Sequence, residues 1–117
     1  MNEFVGKWRI THMEQWSQDM VDLVEQGCFN FGEDDQGQFV FCAVEGNMDV
    51  VVNTRMPELE FSWEGTDDTR PVCGRGKIEF PTPFEGEGII YIHNGESSTF
   101  SIKRMEQAMP DNVVKLR

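Results

Sequence analysis

The stretch ELEFSWE, Glu58 to Glu64, alternates polar side chains with Leu59, Phe61 and Trp63. Neighbouring side chains on a strand point to opposite faces, so this run demands one wet face and one dry one. The same signal marks strands over Val5 to Thr11, Cys28 to Phe31, Gln38 to Val44, Met48 to Thr54, Cys73 to Phe80, Gly86 to His93 and Ser98 to Met105, eight in all with the first. Turn chemistry separates them at Asp35-Gln36-Gly37, Glu45-Gly46-Asn47, Met56-Pro57, the longer Gly65 to Val72 stretch, Pro81-Thr82-Pro83 and Asn94-Gly95. Short links between successive strands imply an antiparallel meander. Closing that meander hides the dry faces and removes both exposed edges. The expected fold is all-β: an eight-stranded antiparallel up-and-down barrel.

One gap between strands has a different period. From Thr11 to Gly27, Trp16, Met20, Leu23 and Val24 fall on one helical stripe, with Glu14, Ser17, Asp22 and Glu25 largely opposite. Thr11-His12-Met13-Glu14 matches a capping box, and Gly27 suits a left-handed helix end. One helix, Thr11 to Gln26, is therefore expected between the first and second strands. The chain of 117 residues reads as a single barrel domain, 1–105, followed by a C-terminal tail, 106–117.

Closure makes the first and last strands neighbours. Phe4, Gly6, Trp8 and Ile10 share one face of the first, and Phe100, Ile102 and Arg104 share one of the last. Trp8 is then placed to plug one end of the barrel, with the Arg104 guanidinium across its indole and Gly6 leaving room for the ring. Such a contact is worth about 0.5 to 2 kcal/mol depending on desolvation. The plainer alternative makes Trp8 an ordinary core aromatic and Arg104 a solvated charge at a strand end.

The run Phe4-Val5-Gly6-Lys7-Trp8, a helical insert before the second strand, an up-and-down series of strands and a late arginine together resemble the calycin superfamily, the lipocalins and cytoplasmic fatty-acid-binding proteins. That resemblance implies a barrel with a ligand-holding interior. It does not supply the basic and aromatic triad by which fatty-acid binders hold a carboxylate, because Arg104 is committed to Trp8. GKWRIT followed by WSQDMVDLV is also similar to short bacterial proteins that are themselves uncharacterised, a likeness that carries no chemistry.

Charge and motif content narrow the functions. A formal charge of −11 repels a polyphosphate backbone, so nucleic acid is not an expected partner. No apolar run approaches the ~20 residues of a membrane span, and no secretory leader is seen, so a cytoplasmic protein without membrane contact is expected. Cys28, Cys42 and Cys73 are an odd number without CxxC spacing, which argues against both a disulfide framework and a zinc site. No nucleophile elbow, HExxH, Walker loop or dinucleotide fingerprint occurs. No catalytic residue, metal or cofactor is assigned. GEDDQGQ, Gly32 to Gln38, has calcium-loop acidity without the ligand spacing and reads as a solvated turn. An enzyme reading rests only on Tyr91, His93 or a glutamate reaching a cavity mouth.

Two functional readings therefore compete. In one, a filled barrel works by protein interaction or self-association, as a homodimer or with another protein. Its support is the bulk of the inward aromatics, and its candidate surface is an apolar set on and beside the third strand, Val40, Cys42, Val44 and Val51, covered either by the helix or by a second copy. In the other, a calycin-like binding protein holds a compact apolar or planar molecule. Its candidate pocket is Phe61 and Trp63 beside four inward glycines, Gly74, Gly76, Gly86 and Gly88. The volume left inside the barrel separates them.

Overall fold

The computed structural model describes residues 4–53 and 55–105, so the segment 106–117 lies outside the described residues. Eight strands follow one another around a closed barrel: β1 (Gly6–Met13), β2 (Cys28–Phe31), β3 (Gln36–Phe41), β4 (Val44–Asn53), β5 (Glu58–Asp67), β6 (Arg70–Thr82), β7 (Glu85–Ile92) and β8 (Ser97–Arg104). Each pairs antiparallel with the next, and β8 returns to β1 with Trp8 opposite Arg104 and Ile10 opposite Ile102. Beyond Ile10 a bulge shifts the register, so that Met13 meets Phe100. The expected all-β, up-and-down barrel is the observed fold.

The helix is much shorter than expected. Only Gln18–Val21 forms α1, with Ser17 as N-cap accepting from the Met20 N–H, and β1 runs on through Thr11 and His12 to Met13. Two magnitudes decide this. Burying Met13, 2 % exposed, is worth roughly 1.5–3 kcal/mol, more than the ~1 kcal/mol of a cap at Thr11. The remaining insert is also too short to hold a helix without a surface to pack on. Its stripe is largely in water: Met20 is 43 %, Leu23 59 % and Val24 58 % exposed.

Four turns also differ from the expected ones, the simplest case being that Pro81 and Thr82 still belong to β6 and only Pro83-Phe84 link it to β7. The β3–β4 hairpin turns at Cys42-Ala43, with Cys42 at a φ of 54°, and Glu45-Gly46-Asn47 lies within β4. The expected loop over Gly65 to Val72 shrinks to Asp68-Thr69, because Asp68 accepts a φ of 61° and β5 and β6 pair up to Asp67 opposite Arg70. In the β2–β3 link, the Asp34 carboxylate accepts from the Gln36 N–H, and Asp35 takes the positive φ. That is a turn's hydrogen bonding, and it accounts for the acidity of GEDDQGQ.

The core is the barrel interior. Phe29, Phe39, Phe61 and Phe100 form its centre, with Phe29 ring centroids 5.0 Å from Phe100 and 5.4 Å from Phe39. The outer rows are polar. In one, Glu58, Glu79 and Glu87 stand directly opposite one another on β5, β6 and β7.

Candidate functional site

At the end of the barrel where β1 begins and β8 finishes, Trp8 is fully buried and its indole N–H donates to the Phe4 carbonyl at 3.0 Å. The Arg104 guanidinium carbon lies 4.4 Å from the centre of the Trp8 ring. Its Nη1 donates to the Val5 carbonyl and its Nε to the Pro83 carbonyl, both at 3.1 Å. One arginine thus ties together the entry to β1, the β6–β7 link and the indole. Gly6 sits at a φ of 127°, which side-chain-bearing residues rarely adopt, so the chain path itself requires a glycine there. Phe80 completes the plug, 5.0 Å from Trp8 and stacked on Phe4 at 4.1 Å.

Inside, the structure brings Phe61, Trp63, Gly74, Gly76, Gly86 and Gly88 onto neighbouring strands, and the space the glycines leave is occupied. Phe61 is directly opposite Gly76 and Trp63 opposite Gly74, while Phe100 faces Gly88 and Ile102 faces Gly86. In each pair the larger side chain lies over the glycine: a Cβ added at Gly88 would be 2.7 Å from Phe100 Cζ, and one at Gly86 would be 2.9 Å from Ile102 Cγ1. The same device recurs at Gly46, where a Cβ would be 2.6 Å from Phe39 Cε2 and 3.0 Å from Trp63 Cε3. These glycines are seats for rings. The Trp63 N–H is also satisfied, by the Tyr91 carbonyl at 3.3 Å.

Val40, Cys42, Val44 and Val51 do not share a face. Val40 points outward and is buried beside its partner Cys28, Cys42 is in the hairpin turn, and Val44 points inward because the turn comes three residues earlier than expected and Val44 opens β4 opposite Phe41. Val51 is outward and 72 % exposed. The insert reaches this region through its backbone, since the Cys42 N–H donates to the Val21 carbonyl at 2.9 Å. Val21 is fully buried, and Trp16 packs on Phe41 with centroids 5.4 Å apart.

A second fastening holds the insert. Asp22 accepts from both terminal nitrogens of Arg9 at 2.8 Å, from the Gly27 N–H at 2.8 Å and from the Gln18 amide at 3.3 Å. The Arg9 hydrogen bonds, followed by the Gly27 N–H, hold the Asp22 carboxyl well below the usual carboxylate range. Among the described residues this bidentate pair is the closest ion pair. Sequence reading missed it because the partners are thirteen positions apart, across an irregular segment.

The groups that could do chemistry are dispersed. Burial pushes the thiols of Cys28 and Cys42 up, away from the thiolate form a nucleophile needs. No cluster of three or more His, Cys, Asp or Glu is placed to hold a metal ion among the described residues. His12 and His93 are exposed, and Tyr91 lies on the outer face under Arg75, whose guanidinium carbon is 4.2 Å from its ring centre. The larger depressions, of about 570, 580 and 480 Å³, lie on that outer face, floored by the sheet and walled by polar side chains such as Gln38, Glu64, Lys77 and Glu60. No helix among the described residues is long and apolar enough to cross a membrane. No protein-family model, curated protein or solved structure matches the chain.

Proposed function

We propose that the protein is a calycin-like barrel with a filled interior that acts, without catalysis, by binding protein, and that it does so first of all by associating with itself through the β1–β2 insert. The observation that carries this reading is a contrast in one molecule. The glycines that would have opened a pocket are covered by rings, whereas Met20, Leu23 and Val24, three apolar side chains within five residues, stand in water. Apolar side chains grouped on a surface favour association, because covering them releases roughly 25 cal/mol per Å² of apolar area. The three free cysteines support a reducing compartment such as the cytoplasm.

Sedimentation velocity over a wide concentration range tests this directly. The wild-type chain should gain mass with concentration, and the triple variant Met20→Ser/Leu23→Ser/Val24→Ser should remain monomeric. A wild-type protein that stays monomeric throughout removes the self-association reading. Saturable, tight binding of a fatty acid or a planar aromatic, followed by tryptophan fluorescence, would instead restore the carrier reading.

A further inference from the structure

Two strands carry apolar runs where a barrel wall with a wet outer face should alternate. β4 reads Val50-Val51-Val52 and β7 reads Ile89-Ile90-Tyr91-Ile92, apolar on both faces. Strands of that composition are ordinarily covered on both sides. Here Val50 and Ile90 fill the interior, while Val51 faces outward and is 72 % exposed. The register sets the outward apolar side chains level: Val51, Glu60, Lys77 and Ile89 form one row across β4 to β7, and Asp49, Ser62, Arg75 and Tyr91 form the next. These two rows bound the outer-face hollow of about 480 Å³. Val51 walls it on β4, Ile89 and Tyr91 wall it on β7, and its floor lies at Ser62 and Gly76.

The hollow has a cationic side. Arg75 and Lys77, two residues apart on β6, both line it. The Arg75 guanidinium lies over the Tyr91 ring, and among the described residues no carboxylate stands within ion-pair distance of it. A stacked guanidinium keeps its edge N–H groups for an anionic partner. Lys77 is shared with Glu79 at 3.6 Å, and Asp49 and Glu60 direct an acidic ligand away from the β4–β5 side. A recess with apolar walls and cations on one side suits a projecting apolar partner with carboxylates beside it. The β1–β2 insert has that chemistry. Its exposed Met20, Leu23 and Val24 are flanked in sequence by Asp19 and Glu25, and the stretch Glu14 to Gln26 contains no lysine or arginine.

Resting on the self-association reading above, we propose that the insert of one copy seats in the β4–β7 hollow of the next. Met20, Leu23 and Val24 then cover Val51, Ile89 and Tyr91, and Asp19 and Glu25 turn toward Arg75 and Lys77. In the closed strand order the centre of the hollow, between β5 and β6, lies across the barrel from β1 and β2, which carry the insert. A copy therefore cannot fill its own hollow. The two surfaces are different and lie on opposite sides, so the contact is heterologous: each added copy leaves one insert and one hollow free, and assembly continues in a line instead of stopping at a two-fold pair.

Sedimentation velocity on mixtures tests this pairing. Val51→Glu/Ile89→Glu spoils only the hollow, and Met20→Ser/Leu23→Ser/Val24→Ser spoils only the insert. Each variant alone should be monomeric at concentrations where the wild type grows beyond a dimer. Mixed in equal amounts they should form a dimer and nothing larger, because one supplies an intact insert and the other an intact hollow. Should the hollow double variant not fold, the single exposed change Arg75→Glu should weaken assembly several-fold, and added salt should weaken that of the wild type. Hollow variants that assemble like the wild type, a mixture that stays monomeric, or a wild type that stops at a dimer overturn this pairing and leave association through the insert standing. A wild type that is monomeric throughout removes that reading itself, and this pairing with it.

Discussion

Each end of the barrel is closed by a tryptophan, and the two closures differ in kind. Trp8 belongs to a strand: its backbone pairs with Arg104, its ring lies under that guanidinium, and it is wholly buried. Trp16 belongs to an irregular insert, is only half-buried on Phe41, and is held in place by neighbours fastened elsewhere, through Arg9–Asp22 and the Cys42–Val21 backbone bond. A closure built into the ladder cannot open without breaking the sheet. A closure hung from one ion pair and a few backbone bonds can detach while the barrel stays folded, which is how low-stability regions arise in otherwise rigid proteins. The exposed apolar side chains lie on this second closure.

The largest effect expected from that contrast is at Trp8. Trp8→Ala should cost about 3–5 kcal/mol in urea unfolding, whereas Trp16→Ala should cost markedly less and leave the unfolding of the sheet cooperative. Equal losses would erase the distinction between the ends. Trp8→Ala and Arg104→Ala should also be non-additive by more than about 0.5 kcal/mol. Additivity would mean that the 4.4 Å contact contributes nothing to closure.

Next in size is the filled interior that both closures cover. Gly76→Ala forces a Cβ against the Phe61 ring and should cost about 1–3 kcal/mol by overpacking. Adding Phe61→Leu should recover part of that loss. A neutral Gly76→Ala variant would reveal slack around Phe61 and reopen the question of a pocket.

The fastening of the insert should show in pH dependence. The Asp22 carboxyl titrates below its ordinary value in the folded protein, so its contribution is fully present above the carboxylate range of roughly pH 4 and is lost as pH falls toward the folded-state value. Asp22→Asn lacks this linkage. The urea midpoint of the wild type should therefore exceed that of Asp22→Asn at neutral pH, with the gap closing as the solution is acidified. Hydrogen exchange should place the loss in residues 14–27, and a gap independent of pH would show that the pair does not fasten the insert. The smallest effect on stability is expected from Met20→Ser, Leu23→Ser and Val24→Ser, each within about 0.5 kcal/mol because the side chains are already in water. A larger loss in dilute monomer would place these side chains in the fold rather than on a free surface.

Period-two alternation was enough to specify the strands and their number, because the dry faces of Leu59-Phe61-Trp63 and Phe100-Ile102 have no cover except one another. The same local logic was blind wherever a residue type serves two purposes. Gly46 has the composition of a turn residue, but it lies within β4 because Phe39 and Trp63 need the space above it. Cys42, with no turn propensity of note, takes the positive φ that the hairpin requires. Trp16, Met20, Leu23 and Val24 have helical spacing, and spacing alone does not reveal whether a surface is available to cover them. The barrel spends its inner face on its own rings, so the insert found no long apolar surface and became a strap. Alternation is a property of neighbours in the chain and could be read there. Which glycine seats which ring, which tryptophan is locked and which is hung, and that Arg9 would find Asp22 depend on residues brought together only when β8 closes on β1.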